Sequence, residues 1–338
     1  MIAEGAGAAA ARTVQAGRFE LVDADGKVRG ALGMTAEGPF VALFGAAGEM
    51  RAVLHVGGED AALDLLDGAG KLRAVVAAGA GVKVLDAAGM PRLLLTAAAD
   101  GPCVTLADAA GRVRAIVAVD AEGPGLTLSD AEGKVRATLA ANPNGPGLTL
   151  SDAAGNPRAH LAAAADGAGL SVLDVAGETR AVLHVTAEKA ILDLLDAAGK
   201  PRAALAVDAD RTRLALADPA GKPRADLAAT ADGAALKILD PAGKIRADLA
   251  AAADKVGLNL VDGAGKVRAV VAVDVDGPRL TLTDAVGKPR VLVDVDAQGP
   301  ALHMFNAACR PGAVVAVGAD GPTLTFWDEQ GVVVASVP

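Results

Sequence analysis

Arginine recurs at positions 29, 51, 73, 92, 114, 136, 158, 180, 202, 224, 246, 268 and 290. The interval is 22 residues at every step but one, where Arg73 and Arg92 stand 19 apart. Most of these arginines close a D-x-x-G-K-x-R segment. Carried to the end of the chain, the frame has fifteen turn positions, thirteen of them Asp, with Gly45 and Asn306 as exceptions. Three residues on, fourteen are Gly and Cys309 is the exception. A fixed period of this length dictates an array of one small unit, not a set of independent domains.

One unit, Asp130 to Ser151, reads DAEGKVRATLAANPNGPGLTLS. Two strand-like runs, KVRATLAA and PGLTLS, alternate with two turns. Asp opens a turn by accepting backbone amides, and Gly closes it with a positive φ. The pairs Asp130/Gly133, Asp152/Gly155 and Asp218/Gly221 are therefore candidate structural turns. Pro219 and Pro241 suit the second position of a type I turn. Counting the turn Asp as 0, apolar residues fall at 5, 7, 9, 11, 16, 18 and 20. Four-residue loops would pair 20 with 5, 18 with 7, 11 with 16 and 9 with 18, putting all of them on one face; a one-residue slip would split that face.

Two architectures satisfy this pattern. A solenoid stacks identical residues about 4.8 Å apart, and thirteen arginines so stacked repel by roughly 0.9 kcal/mol per neighbouring pair even at water's dielectric. An antiparallel hairpin strip doubles that spacing. The expected fold is thus all-β: about fifteen 22-residue repeats in an antiparallel β-hairpin strip, coiled or oligomerised around its apolar face, with a two-sheet β-solenoid as the alternative. Expected boundaries are an Ala/Gly-rich tail over 1–17, the array over 18–300 and degenerate repeats over 301–338. The 19-residue unit is expected to shorten its loop near Gly79–Gly81 while Val76, Val82 and Val84 keep the core pattern.

The motif D-x-x-G-K-x-R-A preceded by L-T-L resembles bacterial hypothetical proteins with tandem LxLxDxxGKxRA repeats, over about residues 18–300; RFELVDADGKVRGALG (18–33) and GPGLTLSDAEGKVRATLA are typical segments. That family implies no activity. The YD repeats of Rhs-type proteins, with Y-D-x-x-G-R hairpins wound into a shell, are a more distant likeness. Here the residue before Asp is Ser129, Ser151, Leu173, Leu195 or Ala217, never Tyr. Triple β-spiral viral fibre shafts are an architectural likeness.

Composition removes several functions. Hydrophobic residues make up 52%, too many for a disordered chain. There is no run of 18 uncharged apolar residues, so no membrane-spanning helix is expected. A net charge of −9 and 2% aromatics argue against nucleic-acid binding. Cys103 and Cys309 lack any ligand spacing. The N-terminus has no basic segment followed by a Leu-rich one, so no signal peptide is expected, and the location is read as cytoplasmic or within a larger fibre or particle.

No catalytic constellation is legible. Serine occurs only at 129, 151, 171 and 336, and no GxSxG or phosphate loop is present. His55 and His184 occupy equivalent positions beside Asp64 and Asp193, with Glu59 and Glu188 in the loops between. Imidazole with carboxylates suits zinc or base chemistry, but block duplication explains the equivalence. DADG (23–26), DAEG (120–123) and DVDG (274–277) echo calcium loops without the bidentate Glu that such loops need; weak divalent-ion binding at Asp-rich turns is the residual expectation, and no cofactor or metal site is expected. The threonines at 105, 127 and 149 form a ladder that Asp193, Ala215 and Lys237 break.

The arginines, with Arg114, Arg136, Arg158, Arg180 and Arg202 as the central ladder, join ten Lys or Arg just after the turn Gly to make 23 of the 32 basic residues. Set against the Asp column they form a lattice of opposite charges. Exposed pairs are generally worth about 0–1 kcal/mol, so the expected role is register and edge protection. Aromatics sit only near the ends, and Phe326 with Trp327 precede the uncharged GVVVASVP. This end is expected to cap the array or dock a partner, with Trp327 largely buried. Together these features lead to a non-enzymatic, self-associating structural rod, fibre or scaffold; the alternative is an adhesin or a glycan- or ion-binding array.

Overall fold

The computed structural model describes residues 15–58 and 60–337. Every regular element among them is a β-strand, numbered here from β1 (Arg18–Val22) to β30 (Val333–Val337). The chain divides into two units after Asn156. The first contains β1 to β13 (Gly145–Ser151) and the second β14 (Pro157–Ala164) to β30. Within each unit every strand pairs antiparallel with the strands before and after it, and touches no other strand. Tandem antiparallel hairpins are the fold, the strand order that a hairpin strip requires.

The register explains the parity of the sequence. In β12 (Val135–Asn142) and β13, Ala137 faces Leu150, Leu139 faces Leu148 and Ala141 faces Pro146. Positions 7, 9, 11, 16, 18 and 20 therefore share one face, and 8, 10, 17 and 19 the other. Across the D-x-x-G turn the expected register is corrected by two residues. Leu128 pairs with Ala137, not Val135, and Leu126 pairs with Leu139. Val135 instead stands opposite Ser129, and Arg136 is the extra residue of a β-bulge. The cause is local: Asp130 N–H donates to the Lys134 carbonyl at 2.9 Å, which closes the loop on itself before the ladder begins. A bulge raises local twist and re-aims a side chain, and the one re-aimed is the repeat's arginine. Position 5 thereby leaves the apolar face.

The 19-residue unit keeps this order. Val76 pairs with Val82 and Ala74 with Val84. The deletion removes the outermost pairs of the hairpin along with loop length, leaving β6 (Leu72–Ala77) and β7 (Gly81–Leu85) joined by three residues.

There is no second layer within either unit, and so no interior. Among the described residues only Gly30, Ala31, Ala42, Ala272 and Ala313 are buried. The end of the chain follows the same rule. Asn306 N–H donates to the Arg310 carbonyl, and the hairpins of 301–337 keep the common register. Trp327 is half-buried, Phe326 is 39% exposed and β30 is exposed throughout. Burial of Trp327 by the chain's own coil is thus not what unit two shows, because a single sheet places nothing above it.

Candidate functional site

The feature that recurs is the D-x-x-G-x-x-R segment. Its Asp does three things. At Asp174 the backbone N–H donates to the Glu178 carbonyl at 2.9 Å. Oδ1 accepts the amides of Ala176 (2.8 Å) and Glu178 (3.0 Å). Oδ2 accepts Arg180 Nε at 2.7 Å. The same amide pattern holds at Asp130, Asp152 and Asp218. The glycines three residues on, Gly133, Gly155 and Gly221, have φ of 81°, 89° and 79°, the left-handed region that closes this turn.

The arginine reaches two turns at once. Arg180 ion-pairs with Asp174 of its own turn, and its Nη1 donates to the Asp196 carbonyl of the next. Arg158 likewise donates to the Asp174 carbonyl. Arg114 and Arg202 use Nε instead, to Ser129 (2.8 Å) and Ala217 (3.0 Å), while their Nη1 faces Asp108 (3.2 Å) and Asp196 (3.6 Å). Arg136 pairs with Asp130. Arg114, Arg158, Arg180 and Arg202 thus each reach the following turn along one side of the sheet. The lattice read from the sequence as alternating charges is a chain of turn-to-turn bridges.

These contacts hold the carboxyls of eleven turn Asp residues, Asp174 among them, below their ordinary value of 3.8. At Asp174 the Glu178 amide leads and Arg180 and the Ala176 amide add to it, against partial desolvation. At Asp108 desolvation pushes the carboxyl up, but the amides of Arg112 and Ala110 and the Arg114 guanidinium outweigh it and hold it at about 2.

Two irregular turns show which parts matter. Gly45 has no carboxylate, and Glu49, four residues on, takes over. Its Oε2 accepts the Ala47 amide at 3.1 Å and its Oε1 faces Arg51 at 3.5 Å. Sequence reading missed this substitution; the signal was an acid at a position otherwise usually basic. At Asn306 the side-chain oxygen still accepts Ala308 and Arg310 amides at 2.9 and 3.0 Å. Cys309, with φ of 61°, is the only non-glycine at positive φ among the described residues.

The other candidates are scattered. His55 Nε2 lies 3.4 Å from Asp64 Oδ2, whereas His184 and Asp193 stay beyond ion-pair distance. Glu59 lies outside the described residues. His303 stands 3.4 Å from Asp294 and stacks on Phe305. Cross-strand pairs missed from sequence include the two-pronged Arg213–Asp226 bridge (3.0 and 2.8 Å) and Arg279–Asp274 (2.6 Å). Among the described residues no three His, Cys, Asp or Glu side chains converge as a metal-binding group. Asp120 Oδ1 accepts the amides of Glu122 and Gly123, and Asp274 Oδ1 accepts that of Asp276, so both oxygens serve their turns. No helix among the described residues is long and apolar enough to cross a membrane.

No family model matches the chain, and no curated protein matches it. Among solved structures it is similar to TcdB2-TccC3 at 12% identity and a TM-score of 0.18, over 92% of this chain and 21% of that one. It is also similar to a functionally unknown protein from Desulfotomaculum acetoxidans DSM 771 at 10% identity and a TM-score of 0.15, over 88% of this chain and 92% of that one. The chain spans about a fifth of the TcdB2-TccC3 chain it matches. Scores this low carry no argument about function.

Proposed function

We propose that the chain is a non-enzymatic structural repeat protein that self-associates as a rod, fibre or scaffold. One observation carries this reading: every strand presents the same apolar face, and nothing in its own unit covers it. Soluble monomers seldom leave apolar patches larger than about 300–600 Å² in water. The turn bridges support the same reading, since they reinforce a regular edge and converge on no substrate-sized centre. Sedimentation velocity across a hundredfold concentration range, with negative-stain microscopy, tests it. Concentration-dependent assembly is expected. A stable monomer at every concentration overturns it and favours the glycan- or ion-binding array.

A further inference from the structure

Resting on that reading, we infer that the partner is a second copy of this chain, and that the two copies meet through the face formed by positions 7, 9, 11, 16, 18 and 20. This face differs in kind from its opposite. In a chain that is 22% charged, no repeat places a charged residue on it, and Thr212 is its one polar residue. The other face carries Asp64, Lys83, Asp193, Asp226, Lys237, Asp248 and His303 in its central row. Charges are thus tolerated on one face of the sheet and absent from the other.

The relief of the apolar face points to the same face of another copy. Its central row, 9 paired with 18, is Leu or Val on strand after strand, as at Leu205/Leu214 and Leu227/Leu236. The row beside it alternates large and small: Leu194, Ala203, Leu216, Ala225, Ile238, Ala247, Leu260. The large members are 42–48% exposed. A gap follows each knob once per hairpin, about 9.6 Å apart at ordinary strand spacing. Shallow grooves of about 250 Å³, over Gly30 between Leu21, Leu32 and Leu43, and about 260 Å³, between Val271, Val273 and Val293, lie on this face. Only a surface with the same period fills such gaps all along a unit, and the same row of a second copy, displaced by one strand, has it. Sheets pack in this way about 10 Å apart with inner side chains interdigitating.

The area suffices. A strand contributes roughly 95 Å² of face at ~4.8 Å spacing and ~20 Å of length. The seventeen strands of the second unit offer ~1,600 Å² per copy, about twice the ~800 Å² per partner of a standard stable interface.

Full-length chain carrying Leu205→Lys and Leu227→Lys, on the apolar face, is compared with Ala204→Lys and Ala215→Lys, neighbours on the other face. Sedimentation velocity gives the association constant and circular dichroism the strand content. The expected result is association weakened at least tenfold by the first pair, unchanged by the second, with both spectra as wild type. Equal association in the first pair, or equal loss in both, overturns the inference while self-association stands. A monomeric wild type overturns self-association itself. Carbene footprinting of the wild-type assembly decides the case where the first pair does not fold: protected Leu205, Leu216 and Leu227 are expected, and full labelling there overturns the inference. A monomer that binds phosphatidylcholine vesicles through this face overturns it too.

Discussion

Glycine occupies two kinds of turn position, and replacing each by alanine separates strain from collision. Gly133 closes a D-x-x-G turn with φ of 81°, and a Cβ built there meets nothing within 4 Å. Alanine at that position bears the left-handed conformation, about 1–2 kcal/mol. Roughly 0.4–1 kcal/mol returns because alanine stiffens the unfolded chain, so the net cost is about 1 kcal/mol. Gly123 begins the strand on the opposite edge with φ of 125°, and a Cβ there falls 2.0 Å from the Ala141 carbonyl oxygen of the next strand. That oxygen belongs to paired backbone and cannot step aside alone. Strain of about 1–3 kcal/mol adds to broken pairing, so Gly123→Ala should cost about 3 kcal/mol or more. A repeat array does not unfold as one two-state body, so the assay is native-state hydrogen exchange, which reads local opening. Gly133→Ala should lower protection around its own turn by about one kcal/mol. Gly123→Ala should lower it more, and the loss should extend into Val135–Asn142, where Ala141 lies. Equal costs, or a loss confined to the Gly123 hairpin, would show that the approach to the Ala141 carbonyl does not set the cost.

The remaining predictions concern the same turns. Eleven turn carboxyls are depressed in the fold, so their contribution is complete above the ordinary value near 3.8 and is lost as pH falls below it, at Asp108 toward about 2. Strand content followed by circular dichroism should therefore hold from neutrality to about pH 4 and fall below it; retention at pH 2 would count against the bridges. Cys309→Gly relieves a left-handed non-glycine residue and should raise protection around Asn306–Arg310 by about 0.5–1 kcal/mol. Glu49→Ala should expose the Ala47 amide to exchange and loosen Arg51, as Asp174→Ala does for Ala176 and Arg180. Adding Gly45→Asp to the first variant should restore protection, and no rescue would mean that Glu49 does not replace the missing Asp.

The period of 22, the turn chemistry and the two-residue alternation were legible because each is local: Asp and Gly act within four residues, and alternation follows from strand geometry. They sufficed for hairpins and for a face running through Leu139, Leu148 and Leu150. What the sequence left undecided depends on distances across strands. The bulge at Arg136 arises because Asp130 N–H bonds the Lys134 carbonyl, and it moves Val135 to the other face and shifts the pairing by two. The reach of Arg180 to the Asp196 carbonyl spans 16 residues that only the folded hairpin brings together. Glu49 could stand in for Asp only because its longer side chain bends back over the same turn. Whether the sheet closes over its apolar face is likewise a tertiary matter: apolar alternation specifies a surface to be covered, and it is strand pairing with sequence neighbours alone that leaves Leu205 and Leu227 open within their unit.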